Sequence, residues 1–148
     1  MHSTPFLCYN KCNDTKNTLI TLRPHQQRSL DAMDKATKGQ IIVPTGGGKT
    51  FIMIQHAKKL LNTTDMYLNR PKHIVVVAPR ILLAQQLCED FMEQIKGRVC
   101  HAHSGETHYF STTKSDQIAN FIEGCRCLHE NAIIFTTYHS LHKVLDAD

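Results

Sequence analysis

The chain has no apolar run long enough to enter a bilayer. Its longest stretches, such as Ile74 to Ala78, fall far short of the roughly 20 residues a membrane helix needs. No basic-then-apolar leader follows Met1-His2-Ser3-Thr4-Pro5. Nothing therefore marks the chain for export, no membrane is expected as a partner, and the cytoplasm (the host's, for a viral chain) is the expected compartment. Seven glycines and five prolines are too few for a collagenous or linker-like chain. There is no internal repeat and no low-complexity tract. What remains is a globular mix, 41% hydrophobic and 20% charged. Its 148 residues amount to about one ordinary domain. An activity that needs two domains to close on each other is not expected from this chain alone.

Acidic charge is scarce in the first part of the chain. Residues 1–60 carry nine Lys/Arg against three Asp/Glu, a balance of +6, and residues 61–148 carry eight against ten, a balance of −2. A basic N-terminal part suits a polyanion such as nucleotide or nucleic acid, although solvated lysines on helix faces give the same count. The six cysteines are Cys8, Cys12, Cys88, Cys100, Cys125 and Cys127. Without an export signal, reduced thiols are expected rather than a disulfide set. Cys8/Cys12 and Cys125/Cys127, with His101, His103 and His129 nearby in sequence, raise the question of zinc. Neither pair has the spacing of a zinc knuckle, and a metal analysis decides the point.

Residues 1–18 are polar and read as a loosely docked arm, leaving 19–148 for the domain. A helix is expected from Pro24, with Leu30, Met33 and Thr37 on one face and Gly39 ending it. Gln40 to Val43 reads as a buried strand, and Phe51 to Leu61 as a helix. His73 to Ala78 is β-branched and continuously apolar, as central parallel strands are. Ile81 to Ile95 places Leu83, Leu87, Phe91 and Ile95 at four-residue steps, a helix closed by Gly97. Arg98 to Ala102 reads as a weaker strand and 104–114 as loop. Ser115 caps a short helix that Gly124 ends, with Ile118, Phe121 and Ile122 inward. Ala132 to Thr136 is a strand, and Tyr138 to Leu145 a last helix. Strands alternating with helices predict an α/β fold, a mostly parallel sheet flanked by helices.

The chemistry concentrates at Val43-Pro44-Thr45-Gly46-Gly47-Gly48-Lys49-Thr50. This segment lies between an expected strand and an expected helix, which is the context of a phosphate-binding loop. Three consecutive glycines let successive N–H groups turn inward toward phosphate oxygens. The helix that begins at Lys49 adds its positive dipole end. Lys49 reaches the β- and γ-phosphates, and the Thr50 hydroxyl ligates Mg²⁺. The first position of the eight-residue pattern is Val43 instead of glycine. A plain glycine turn is the bland alternative. ATP and Mg²⁺ are thus the expected cofactors, and the +6 balance of residues 1–60 acquires a specific anion.

The flanks extend this. Leu22-Arg23-Pro24-His25-Gln26, the loop itself (Gly47 standing where serine is usual), Val76-Val77-Ala78-Pro79-Arg80 and Ile133-Ile134-Phe135-Thr136-Thr137-Tyr138 together resemble motifs of the first RecA-like domain of superfamily 2 helicases and translocases. The match runs from about Leu22 onward and looks closest to the branch of phage and type III restriction-type DEAD/DEAH-box helicases. The resemblance implies a P-loop, RecA-like domain that binds ATP through Thr45, Gly46, Gly47, Gly48, Lys49 and Thr50, with Lys49 and Thr50 as catalytic groups. It implies that Gln26, with Arg23 as an aid, reads the adenine edge; an amide both donates and accepts, which suits adenine. It implies DNA or RNA backbone contacts from Pro79, Arg80, Thr136 and Thr137, and more weakly from Ser104 and Gly105. Such contacts are indifferent to base sequence and sensitive to salt.

One element of that pattern is absent: an apolar strand ending in Asp-Glu, which holds Mg²⁺ through water and activates the attacking water. Glu89-Asp90 lies inside an expected helix, and Asp146 and Asp148 follow no buried strand. The second RecA-like domain and its arginine finger are also absent. The chain is therefore expected to be an incomplete first half that hydrolyses ATP very poorly, with residues 40–43 and 73–78 left as unpaired edges and the fragment unstable and aggregation-prone unless a downstream polypeptide completes the sheet. The alternative function is a non-catalytic nucleotide- or nucleic-acid-binding module working within a complex.

Overall fold

The computed structural model describes residues 21–44, 48–62, 71–104 and 109–147. The expected arm at 1–18 and the loop residues Thr45, Gly46, Gly47 and Gly105 lie outside them. The chain forms two compact units, 1–60 and 61–148.

In the first unit, α1 (Pro24–Lys35) carries proline at its first position, where the missing N–H costs nothing. It buries Gln26 and Leu30. Helix α2 (Lys49–Asn62) buries Ile52, Ile54, Gln55 and Ala57. Leu30, Val43 and Ile52 form the core that joins them, with Leu22 and Met33 packed alongside. Lys59 pairs with Asp34 across the two helices. The expected strand at 40–43 is not formed: Val43 is buried, but Ile42 is 86% exposed and the segment has no sheet partner among the described residues. An extended segment becomes a strand only when a neighbour takes its backbone N–H and C=O groups.

The second unit is a four-stranded parallel sheet in the order β1-β4-β2-β3, built from β1 (His73–Ala78), β2 (Arg98–Ala102), β3 (Phe110–Ser111) and β4 (Ala132–Thr137). Strand β4 is buried at every position, as the apolar run predicts for a central strand. Adjacent residues on a strand face opposite sides, and the two sides are covered differently. Helix α3 (Ile81–Met92) covers one, with Phe91 edge-on to Phe135 at 5.6 Å. Helices α4 (Ser115–Cys127) and α5 (Leu141–Asp146) cover the other, where Ile118, Ile122 and Val144 pack on Cys100, Ala102 and Ile134.

Several details differ from the expected elements: α1 ends at Lys35, short of Thr37 and Gly39, and α5 begins at Leu141, not Tyr138. Leu83 is exposed, and Ala84 and Cys88 are buried with Leu87 and Phe91. Four-residue steps drift around a helix of 3.6 residues per turn, so the core stripe moves off Leu83. Gly124 does not end α4, which runs on to Cys127, and the positive φ (55°) falls at His129. The loop at 104–114 contains β3, which pairs Phe110 and Ser111 with Cys100 and His101.

Cys88, Cys100 and Cys125 are buried free thiols, and Cys127 is an exposed one. Burial pushes Cys88 up to about 11 and Cys100 up to about 12. No helix among the described residues is long and apolar enough to cross a membrane.

Candidate nucleotide and nucleic-acid sites

In the first unit the loop ends on Gly48, whose φ is +77°. Its carbonyl accepts the Ile52 N–H at 3.0 Å, so it caps α2 while turned left-handed, a conformation that favours glycine. Space makes the same demand: a Cβ on Gly48 would lie 2.6 Å from Gln26 Nε2. The glutamine and the loop glycine are therefore in contact. Gln26 is oriented from its own helix start, where its Oε1 accepts the Arg23 N–H at 3.0 Å. The first turn of α2 holds no acid, and Lys49 is exposed at its first position with Thr50 half-buried beside it. Within that turn the helix dipole and the Lys49 ammonium thus add without a carboxylate to cancel them. Gln26, Gly48, Lys49 and Thr50 are brought together; the Arg23 side chain is exposed, and it is the Arg23 backbone N–H that meets Gln26. The Gln26–Gly48 contact is absent from local sequence pattern, because it spans 22 positions and two helices.

In the second unit, parallel pairing sets the strand ends on one rim. Ala78 is level with Thr137, and Ala102 with Thr136. Pro79 and Arg80 leave β1 there, exposed, and Arg80 caps α3 by accepting the Ala84 N–H at 3.1 Å. The first turn of α3 also lacks an acid, so its N–H groups and the guanidinium face the same way electrostatically. Ser104 is exposed beyond β2. Thr137 is buried, with the following N–H, from Tyr138, donated to the Ala78 carbonyl at 3.1 Å. Thr136 departs from the expected backbone contact. It is 0% exposed and its hydroxyl donates to the Ala102 carbonyl at 2.7 Å, so it ties β4 to β2 inside the sheet.

Behind this rim sits a pair that the sequence raised only in connection with zinc. His101 Nδ1 and His103 Nε2 are 3.0 Å apart, both buried, with His101 stacked on Phe135. A single shared proton donor fits between two neutral rings. Burial, then the neighbouring His103, lowers His101 to about 4; burial also lowers His103. The spacing of two, with His101 on β2 and His103 just past its end, was the available signal. Among the described residues no three His, Cys, Asp or Glu side chains gather as a metal shell.

The 61–148 unit is a parallel sheet with helices on both faces, and the 1–60 unit carries a glycine-capped helix start bearing Lys-Thr; the fold is α/β, of the RecA-like class. The chain belongs to the type III restriction enzyme res subunit family, whose pattern matches residues 19–148. An uncharacterised helicase of Caenorhabditis elegans is 35% identical over 63 residues, which are 43% of this chain and 3% of that protein. Two solved structures share the fold. A nuclease-deletion mutant of the Type ISP restriction-modification enzyme LlaGI, in complex with a DNA substrate mimic, has a TM-score of 0.65 at 20% identity, covering 86% of this chain and 14% of that one. The ATP-dependent Type ISP enzyme LlaBIII bound to DNA has a TM-score of 0.67 at 20% identity, covering 88% and 10%. The chain thus spans a small fraction of each of these relatives.

Proposed function

We propose that this chain is the ATP-binding part of an ATP-dependent DNA or RNA helicase or translocase. The observation that carries the reading is the contact of Gln26 with Gly48: one unit holds together an amide suited to adenine and a loop end suited to phosphate. Thr45, Gly46, Gly47 and Gly48 supply backbone N–H groups, Lys49 binds the β- and γ-phosphates, and Arg23 assists at the base. The residues fit a magnesium nucleotide, since the Gly48 cradle would be filled by any Cβ and no acid repels the phosphates from the first turn. Thr50 would hold the Mg²⁺, which supplies charge neutralisation at the phosphates. Pro79, Arg80, Ser104, Gly105 and Thr137, with the start of α3, meet the nucleic-acid backbone. That binding reads charge and not base sequence.

None of the described strands ends on an Asp-Glu pair: β1 runs into Pro79-Arg80, β2 into His103 and β4 into Tyr138. This favours slow hydrolysis by the chain alone, and it keeps the non-catalytic binding module as the second reading. The edge of β1 away from β4 has no partner among the described residues, and Val75 on that strand is exposed. A further strand from another polypeptide segment is the partner suited to it. The test is Lys49→Ala in the full chain, with nucleotide binding followed by calorimetry. ATP binding is expected to vanish while the circular dichroism spectrum stays unchanged. Retained binding would overturn the assignment of the loop.

A further inference from the structure

A cavity lies in the 61–148 unit, away from the rim of strand ends. It encloses about 720 Å³, within the roughly 300–1,000 Å³ range of small-molecule sites. Its position is the start of β2 and the β3 edge, and its lining comes from β2, β3 and α4. Two rings form one wall: Phe110 and Phe121 stack at 5.9 Å between centroids and 15° between planes. Phe110 is 48% exposed although it sits on a strand, so an apolar ring face is left open to a third flat partner. Gln117 and Asn120 project from the same side of α4, three residues apart. The Gln117 Oε1 accepts the Thr112 hydroxyl, which turns its NH₂ away as a donor. Arg98 is the one charged residue of the lining, and its Nε meets Glu130 at 3.4 Å, engaging one edge of the guanidinium. The floor is open at Gly124, where an added Cβ would meet nothing within 4 Å.

We propose that this cavity is a binding site for a nucleobase with its phosphate, the base stacking on the Phe110–Phe121 pair. A flat heteroaromatic ring is the occupant that uses every feature together. It extends the ring stack, it presents edge donors and acceptors to the two amides, and its phosphate meets Arg98. An aliphatic or peptide side chain would use the rings alone. The site is independent of the ATP loop, sharing no residue with it. Nucleobases reach it either as free nucleotides or as bases of a single strand.

The experiment labels the full chain with 4-fluorophenylalanine and follows the Phe110 and Phe121 resonances by ¹⁹F NMR. The probes are thymidine monophosphate, an eight-residue oligothymidylate and N-acetyl-phenylalaninamide, with no Mg²⁺ present. Pyrimidine probes avoid the adenine-directed amide of Gln26. Both resonances are expected to shift with a thymidine probe. A response to the monophosphate equal to that of the oligomer identifies free nucleotide as the source, and a response to the oligomer alone identifies the single strand. Gly124→Leu fills the open floor with a better helix former, so it should weaken binding about tenfold or more with Tm unchanged or raised. Arg98→Gln should weaken it and flatten its salt dependence. Lys49→Ala should leave it intact, which separates this site's failure from that of the ATP loop. The proposal is overturned by resonances that stay put with both thymidine probes, by parental affinity in Gly124→Leu, or by shifts with the phenylalanine amide alone.

Discussion

Gly48 is held twice, by a φ of +77° and by Gln26 Nε2 at 2.6 Å from any Cβ. A left-handed conformation costs a non-glycine residue roughly 1–2 kcal/mol, and the clash adds to it. Gly48→Ala should therefore lower Tm and, by displacing Gln26, weaken ATP binding at least as much as Gln26→Ala does; calorimetry on both variants checks the order. Thr136 offers a cleaner separation of structure from function. Thr136→Val keeps the shape and removes the hydroxyl that reaches Ala102, so it should cost about 1 kcal/mol in urea unfolding. Its affinity for oligonucleotides should match the parent, because the hydroxyl is turned inward. A loss of affinity without a loss of stability would return Thr136 to the nucleic-acid surface.

At the scale of elements, the start of α3 carries the charge argument. Arg80 caps the helix at an exposed rim with no acid in the first turn. Arg80→Gln should weaken binding equally for unrelated sequences and reduce the slope of log affinity against log salt by about 1. Base-dependent effects would argue against a backbone contact. The elements themselves were legible to different degrees. His73 to Ala78 and Ala132 to Thr137 announce themselves, because a strand buried on both faces must be apolar throughout. The start of α1 follows from one proline. Gly124 misleads, since a glycine ends a helix only where the chain must turn left-handed, and here that turn comes at His129. The Val43 segment misleads for another reason: apolar residues permit a strand, but only a neighbouring strand makes one. The sheet order, with β4 inserted between β1 and β2, is set by packing over distances that no local window contains. The proposed nucleotide residues stand out in the sequence because glycine, lysine and threonine at fixed spacing carry a mechanism; the Gln26–Gly48 contact and the pairing of the two histidine rings required the fold.

For the molecule as a whole, the histidine pair makes stability depend on acid. His101 ordinarily titrates near 6.5 and in the fold near 4, because its burial and His103 disfavour the charged ring. Between those values the unfolded chain binds the proton and the folded one does not. Stability is thus fully present above about 6.5 and falls as pH drops toward 4, by up to about 3 kcal/mol. Urea midpoints should decline from pH 7 to pH 4.5 in the parent and decline less in His101→Phe, which retains the stacking on Phe135. Equal slopes would place the acid sensitivity elsewhere. The thiols turn the same burial into a kinetic signal. Cys88 and Cys100 remain protonated at neutral pH, and with Cys125 they are sealed on either side of the sheet while Cys127 meets solvent. Only thiolate attacks an alkylating reagent. Adducts at Cys127 would form at once, whereas those at Cys88, Cys100 and Cys125 would accumulate at the rate at which the sheet opens, so mass spectrometry of each peptide would time the loosening of α3 separately from that of α4.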